Sequence, residues 1–386
     1  MMIENKKMID KEGELIILLS KLSLSLDEIT SVEKILAKEI NLEKFIHYAF
    51  EHKVINIVYR NLIKLNLHKN IPKKWRKLFD LYYGGNKYRN EFIYKSITPI
   101  FNEFFNEGIK CVGLKGIMLN HKVYGDIGLR YNNDIDILLL EKDLNRATTI
   151  LKKHGFIQGF INSREKKVIE ATRKEVMFQR LTTHELIPLI KKTEDYLCDF
   201  ISVDVQFDIF SRAKNMKIST IAEDLFNKAV YNNNFFELCH EHNLLQLCSH
   251  AFQDATMLES IKKGKDLELI KFLDIYEYTK QNFEFISWDY LKEITFKSKT
   301  QHIVYYSFFY TEEIFGPILP EAFRESIKPK DERYLHQFGF EEIEPLNWGN
   351  NQILSRLFNN NRSSILNNLS ETETMESDKY LNIMKK

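Results

Sequence analysis

Apolar residues recur at helical spacing over much of the first part of the chain, clearly in Phe45-Ile46-His47-Tyr48-Ala49-Phe50 and again from Val54 to Leu67. This pattern predicts helices from about Thr30 to Gly84, interrupted at Ile71-Pro72. A long helix is predicted next, over Lys87 to Asn106, stopping near Gly108. The period then shortens. Ile109 to Leu114 reads as a buried strand, Ile117 to Val123 as one or two helical turns, and Tyr124-Gly125-Asp126-Ile127-Gly128 as a break. Leu144 to His154 is an amphipathic helix with Gly155 placed as its C-cap. From Phe156 to Leu181 and on to Asp199, short alternating segments suggest strands, and Phe200 to Phe210 is rich in β-branched and aromatic residues. Beyond Ser211 the pattern is helical again, in Ser219 to Ala229, Glu237 to Gln253, Asp266 to Gln281 and Trp288 to Thr295. Thr300 to Phe315 is apolar nearly all round, as a helix enclosed by others would be. The stretch from Asn359 is rich in Asn, Ser, Glu and Thr and is predicted to be a flexible tail.

The fold class expected is therefore α+β, a small mixed sheet with helices, flanked by helical regions on both sides. The divisions expected are 1–86 for an N-terminal helical region, 87–212 for the core, 213–358 for a C-terminal helical domain and 359–386 for the tail.

Within the core, Arg130-Tyr-Asn-Asn-Asp-Ile-Asp-Ile137 places two acids two residues apart in an apolar run. On a strand that spacing turns Asp134 and Asp136 to one face and Ile135 and Ile137 to the other. Adjacent carboxylates repel, and a hard divalent ion such as Mg²⁺, bound through one or two carboxylates and substrate phosphates, relieves that repulsion. A solvent-facing strand edge is the bland alternative. Upstream, the strand ending at Gly113 runs into Lys115-Gly116. Gly113 and Gly116 present no side chain to a ligand, and Lys115 adds a point charge, so the turn could hold a phosphate. Arg130 has the reach and the planar fork to pair with a phosphate or with one of the acids, or else with a surface partner.

These residues resemble the nucleotidyltransferase superfamily typified by DNA polymerase beta. The order Leu114-Lys115-Gly116, Tyr124, Arg130, Asp134-Ile135-Asp136 and His154-Gly155-Phe156 is similar to a narrower bacterial nucleotidyltransferase family of about this length. Lys115-Gly116 stands where the superfamily's turn is usually Gly-Ser or Gly-Gly. The resemblance implies a polymerase-beta-like core and a third acid on a later strand. Val203-Asp204-Val205-Gln206-Phe207 fits that strand, with Gln206 where the narrower family commonly has histidine, and Asp208 is the reserve for Asp204. The implied chemistry is attack of an acceptor hydroxyl on the α-phosphorus of an NTP, ATP by default, with pyrophosphate leaving. Asp134, Asp136 and Asp204 are then the catalytic and metal-binding acids for two Mg²⁺ ions, with Mn²⁺ a substitute, and Asp204 accepts the hydroxyl proton. The acceptor expected is a small molecule or peptide, as in natural-product modification. A toxin-like enzyme acting on a protein or tRNA and an inactive nucleotide-binding module are the alternatives.

Composition narrows the field. The 55 Lys and Arg against 54 Asp and Glu leave a formal net charge of +1, so no global basic field draws the chain to nucleic acid. No run approaches the length of a membrane span, Leu15 to Leu26 being short and carrying Lys21, and a cytoplasmic protein without membrane contact is expected. The four cysteines form no Cys-x-x-Cys and read as reduced thiols. Cys239, His240, Glu241, His242, Cys248 and His250 are zinc-ligating types. On one helix, however, His242 and His250 stand about 12 Å apart along the axis, too far to share an ion. The narrower family resembles this stretch as well, which places His250 beside the active site, facing the nucleotide or the acceptor.

Overall fold

The computed structural model describes residues 9–210, 218–232, 235–340, 345–349, 352–359 and 361–368. Four helices open the chain: α1 (Lys11–Ser20), α2 (Leu26–Leu36), α3 (Leu42–Glu51) and α4 (Ile55–Lys64). Asp10 caps α1 and a Ser25/Glu28 capping box starts α2, each satisfying amides that the first helical turn leaves unpaired. The expected break at Ile71-Pro72 is present, but a single helix succeeds it, α5 (Lys73–Asn106), where the sequence predicts two. Gly84-Gly85 does not interrupt it, because Asn86, Asn90, Ile93, Ile97, Phe101 and Phe104 bury one stripe of the helix, and packing outweighs glycine's low propensity. Pro99 lies inside the same helix and is accommodated there.

The sheet is built from β1 (Val112–Gly113), β2 (Ile135–Leu138), β3 (Ile157–Asn162), β4 (Lys167–Glu170), β5 (Leu189–Asp195), β6 (Cys198–Gln206), β7 (Val230–Asn232) and β8 (Phe235–Glu237). Its spatial order is β4-β3-β5-β6-β2-β1-β8-β7. β2 pairs with β6 in parallel and β1 with β8 in parallel, while the other neighbours are antiparallel, so the sheet is mixed. α6 (Lys115–Leu119) connects β1 toward β2, and α7 (Leu144–Lys153) follows β2 and ends before Gly155, whose φ of +84° suits the C-cap role. Ile97, Phe101 and Phe104 of α5 share one apolar core with Ile135 and Ile137 of β2, Val203 and Val205 of β6, and Leu151 of α7. One expected strand region is helical instead: α8 (Arg173–Thr182) begins at a Thr172/Glu175 capping box, a local signal stronger than the alternation around it.

α9 (Ala222–Lys228) lies between β6 and β7, and after β8 come α10 (His240–Thr256), α11 (Leu258–Lys262), α12 (Leu269–Asn282), α13 (Trp288–Lys297), α14 (Gln301–Phe315) and α15 (Glu321–Ile327). A two-stranded ribbon, β9 (Gln337–Phe338) with β10 (Leu346–Asn347), and α16 (Ile353–Leu357) complete the regular elements. α14 is buried among its neighbours, with Tyr306 and Phe308 essentially unexposed. The opening helices share this core: Leu15, Phe45 and Val58 lie in one apolar cluster with Leu244, Phe272 and Tyr306. Polar contacts cross the same boundary, Lys21 Nζ donating to the Phe315 carbonyl at 2.8 Å and the Leu22 amide to Glu277 Oε1 at 2.8 Å. In the stretch expected to be a flexible tail, Arg362–Asn368 forms a 3-10 turn, held by Arg362 Nε on Asp266 Oδ1 at 2.8 Å, whereas 369–386 lie outside the described residues.

Because one core joins both ends of the chain, Leu15→Ala, at a fully buried site, is expected to destabilise the whole helical assembly by about 2–5 kcal/mol. Urea unfolding in a Trp75→Phe background, where tryptophan fluorescence reports Trp288 and Trp348 far along the chain, checks this, and an unmoved midpoint would show the opening helices to be energetically separate.

Candidate active site

Parallel pairing of β2 with β6 sets Asp136 opposite Asp204, with Ile135 opposite Val203 and Ile137 opposite Val205. Partners in a parallel register point to the same side, so the isoleucines and valines enter the core and the two aspartates share the other face. Asp134 stands one residue before β2, two positions from Asp136, and joins them. Asp136 is buried, and Asp134 and Asp204 are half-buried. Loss of water disfavours the charged forms of Asp134 and Asp204. Burial first, and then Asp136, pushes Asp134 up to about 6, and burial with Asp134, Asp136 and Glu185 pushes Asp204 well above the usual carboxylate range.

The compensating charge is Lys115, whose Nζ lies 3.1 Å from Asp136 Oδ1. Burial works against its charge, and Asp136 and Asp134 more than restore it, so its pKa is raised. Lys115 has φ +45°, a backbone conformation that side chains rarely adopt and that concentrates at functional turns. At Gly116 a Cβ would collide with Asn132 Oδ1 and stand 2.8 Å from Arg130 Nη1, so only glycine fits. Gly113 is enclosed by Met118 and Phe235, which a Cβ would meet at 3.0 and 3.3 Å, so its missing side chain serves packing. Gln206 Nε2 donates to Asp136 Oδ1 at 3.1 Å, and Ser202 Oγ donates to Asp204 Oδ1 at 3.2 Å. Asp208 lies past the end of β6, where its Oδ1 accepts from the Phe210 amide at 3.2 Å.

Arg130 is already engaged. Its Nε reaches Asp274 Oδ1 at 3.1 Å, its Nη2 reaches Asp274 Oδ2 at 2.8 Å, and Nη1 donates to Asn132 Oδ1 at 2.5 Å. Tyr124 Oη donates to Asp274 Oδ1 at 2.6 Å, closing a buried network between the loop after α6 and α12. The acid that Arg130 meets is thus on a distant helix rather than in the Asp134–Asp136 pair.

Sequence reasoning missed several residues around this face. Glu185, between α8 and β5, is pushed up to about 6, chiefly by burial, against Lys115 and with Asp136, Asp134 and Asp254 adding to the rise. Asp254 on α10 holds Lys271 Nζ at 2.6 Å and His250 Nε2 at 3.3 Å. Glu268 pairs with Lys271 at 3.2 Å and with Lys53 at 2.9 Å. None sits in a local motif of the sequence, so no signal there gives its place. The zinc-type residues disperse, His242 turning to Tyr290 Oη at 3.0 Å and His240 to Tyr278 Oη at 3.0 Å. Among the described residues no group of three or more His, Cys, Asp or Glu side chains is gathered to hold a metal ion, and no helix is long and apolar enough to cross a membrane.

A cleft of about 560 Å³ lined by Lys87, Tyr94, Lys95, His121 and Asp126 contains none of the clustered acids. No curated protein and no solved structure matches the chain. A family model described as an uncharacterised nucleotidyltransferase matches residues 38–316, a span that runs from before Lys53 to beyond Asp274 and so takes in every residue of the acid face and its ion-pair surround. The chain belongs to that nucleotidyltransferase family and is, with it, a transferase.

Proposed function

We propose that the chain moves a nucleoside monophosphate from an NTP, ATP by default, to a hydroxyl or phosphate of a small-molecule or peptide acceptor. The observation that carries this reading is the in-register pairing of Asp136 with Asp204, with Asp134 beside them and Lys115 Nζ 3.1 Å from Asp136. On this reading 87–212 is a polymerase-beta-like catalytic core between helical regions 1–86 and 213–358, acting in the cytoplasm.

The donor set, carboxylate oxygens alone and electrostatically frustrated, fits a hard divalent cation, so Asp134, Asp136 and Asp204 would hold Mg²⁺ or Mn²⁺. Once bound, two such ions neutralise the polyphosphate and stabilise the attacking and leaving oxygens. The chain's own groups do the rest. Lys115 offers its ammonium to a phosphate at the place where it now meets Asp136. The acceptor oxygen forms a bond to the α-phosphorus, the bond to the β-phosphate oxygen breaks, and pyrophosphate leaves with the electron pair. The proton of the acceptor hydroxyl passes to Asp204, the carboxylate that stands across from Asp136 on the neighbouring strand. Arg130, fixed by Asp274, holds the turn in place from behind through Asn132.

Calorimetry of each NTP with Mg²⁺ tests the reading: one nucleotide is expected to bind, and Asp134→Asn/Asp136→Asn, shown to be folded, is expected to abolish that binding. A folded wild-type protein that binds none of the four NTPs would sink it. A second expectation concerns stability. Asp134 has its folded pKa raised from 3.8 to about 6, so its favourable contribution is complete below the unfolded value and is lost as pH rises through about 6. Without divalent ions at pH 7.5, Asp134→Asn should therefore exceed the wild type in stability by about 1–3 kcal/mol. Adding Mg²⁺ should close the gap, as thermal melts with and without chelator will show.

A further inference from the structure

Glu185 lies in the link between α8 and β5, where it forms an antiparallel pair with Gln206 at the end of β6. The Leu186 amide donates to the Val205 carbonyl and the Phe207 amide to the His184 carbonyl, each at 2.9 Å, so Glu185 and Gln206 make the close kind of pair that lies between hydrogen bonds. Residues paired in this way turn their side chains to one face. It is the acid face, because Gln206 Nε2 reaches Asp136 Oδ1 at 3.1 Å and Asp204 lies two residues earlier on the same strand. Asp204 is then the diagonal neighbour of Glu185, at about 7–8 Å, within reach of a long side chain. Thr183 fixes the backbone of Glu185, its Oγ1 accepting from the amide at 3.3 Å and donating to the carbonyl at 2.9 Å. The carboxylate is half-buried and has neither a hydrogen bond nor an ion pair among the described residues.

The order of groups across the sheet gives this carboxylate a direction. From β1 through β2 and β6 to the bridge at Glu185 stand, in turn, Lys115, the pair Asp134 and Asp136, Asp204, and Glu185. In-line displacement sets the attacking hydroxyl and the leaving pyrophosphate on opposite sides of the α-phosphorus. With the phosphates drawn to Lys115 at one end of the row, the acceptor enters at the other, past Asp204, where Glu185 has no partner of its own. A carboxylate added to three others repels a phosphate or carboxylate on the acceptor and attracts an ammonium group. We propose that Glu185 binds the acceptor, and that the acceptor is a hydroxyl compound carrying a cationic amine near the hydroxyl that attacks. This rests on the nucleotidyltransferase reading and narrows its acceptor from a hydroxyl or phosphate of any charge to a cationic hydroxyl compound.

The test is pyrophosphate release at pH 7 with Mg²⁺, the NTP that binds, and one of three matched acceptor probes: glucosamine, glucose and glucose 6-phosphate. The wild type is expected to use glucosamine with a kcat/KM about tenfold above that for glucose, mainly through KM, and glucose 6-phosphate least well. Glu185→Gln should bring glucosamine down to the level of glucose by raising its KM, while calorimetry finds the affinity for Mg²⁺ and NTP unchanged. Glu185→Asp keeps the charge on a shorter arm and should retain part of the preference, which separates loss of charge from a folding defect. Glucosamine no better than glucose in the wild type, or a preference that survives in Glu185→Gln, would overturn the inference while NTP binding upholds the nucleotidyltransferase reading. Loss of NTP binding in Glu185→Gln, shown to be folded by its thermal melt, would overturn it as well, by placing Glu185 among the metal-binding acids. A folded wild type that binds no NTP would overturn both.

Discussion

The structure turns on one electrostatic constraint: Asp136 and Asp204 occupy partner positions on adjacent parallel strands, with Asp134 beside them. Nothing in the sheet requires acids there, since Ile137 and Val205 on the same strands show what the pairing prefers. Burying carboxylates together raises the cost of their ionisation, as the elevated proton affinity of Asp134, Asp204 and Glu185 reflects. A site under that strain is stable only if cations are fixed around it, and one of them, Lys115, occupies a strained turn that glycine alone could follow. The face is thus poised for a positive partner rather than satisfied without one.

The remaining cations come from outside the sheet, and this explains why the flanking helices are not accessories. Arg130 would present an unpaired charge close to Asp136 if Asp274 on α12 did not hold it. Lys271 and Lys53, from opposite ends of the chain, meet on Glu268. Breaking any one pair strands its partner in a poorly hydrated setting, which costs far more than the pair contributes by itself. The apolar core that joins the opening helices to α10, α12 and α14 keeps these pairs in register.

The sheet side of this arrangement was legible in the sequence because its signals are local. Alternation fixes the faces of Asp134 and Asp136, and a β-branched run identifies the strand of Asp204. The Gly155 cap was legible for the same reason. The rest was not, because Glu185, Asp254, Glu268 and Asp274 act across the fold and each looks like an ordinary solvated acid in its own segment. Arg130 illustrates the limit: its need for an anionic partner follows from its chemistry, but the choice of Asp274, 144 positions away, depends on tertiary packing. At Gly84-Gly85 the error ran the other way, a strong local breaker losing to a buried stripe on either side of it.

The acids and the groups around them are divided between sheet and helices. The sheet face carries the acids, and both strands that bear them are anchored in a core of isoleucine and valine. The helices supply groups that act across the fold, among them Asp254 of α10, which meets Lys271 Nζ at 2.6 Å and His250 Nε2 at 3.3 Å. Changes on α10 or α12 can therefore shift the charges around the face without disturbing the pairing that sets the carboxylates side by side. The frustrated carboxylates thus sit on strands whose other faces fill a core, while the ion pairs that surround them are drawn from helices and turns far apart in the sequence.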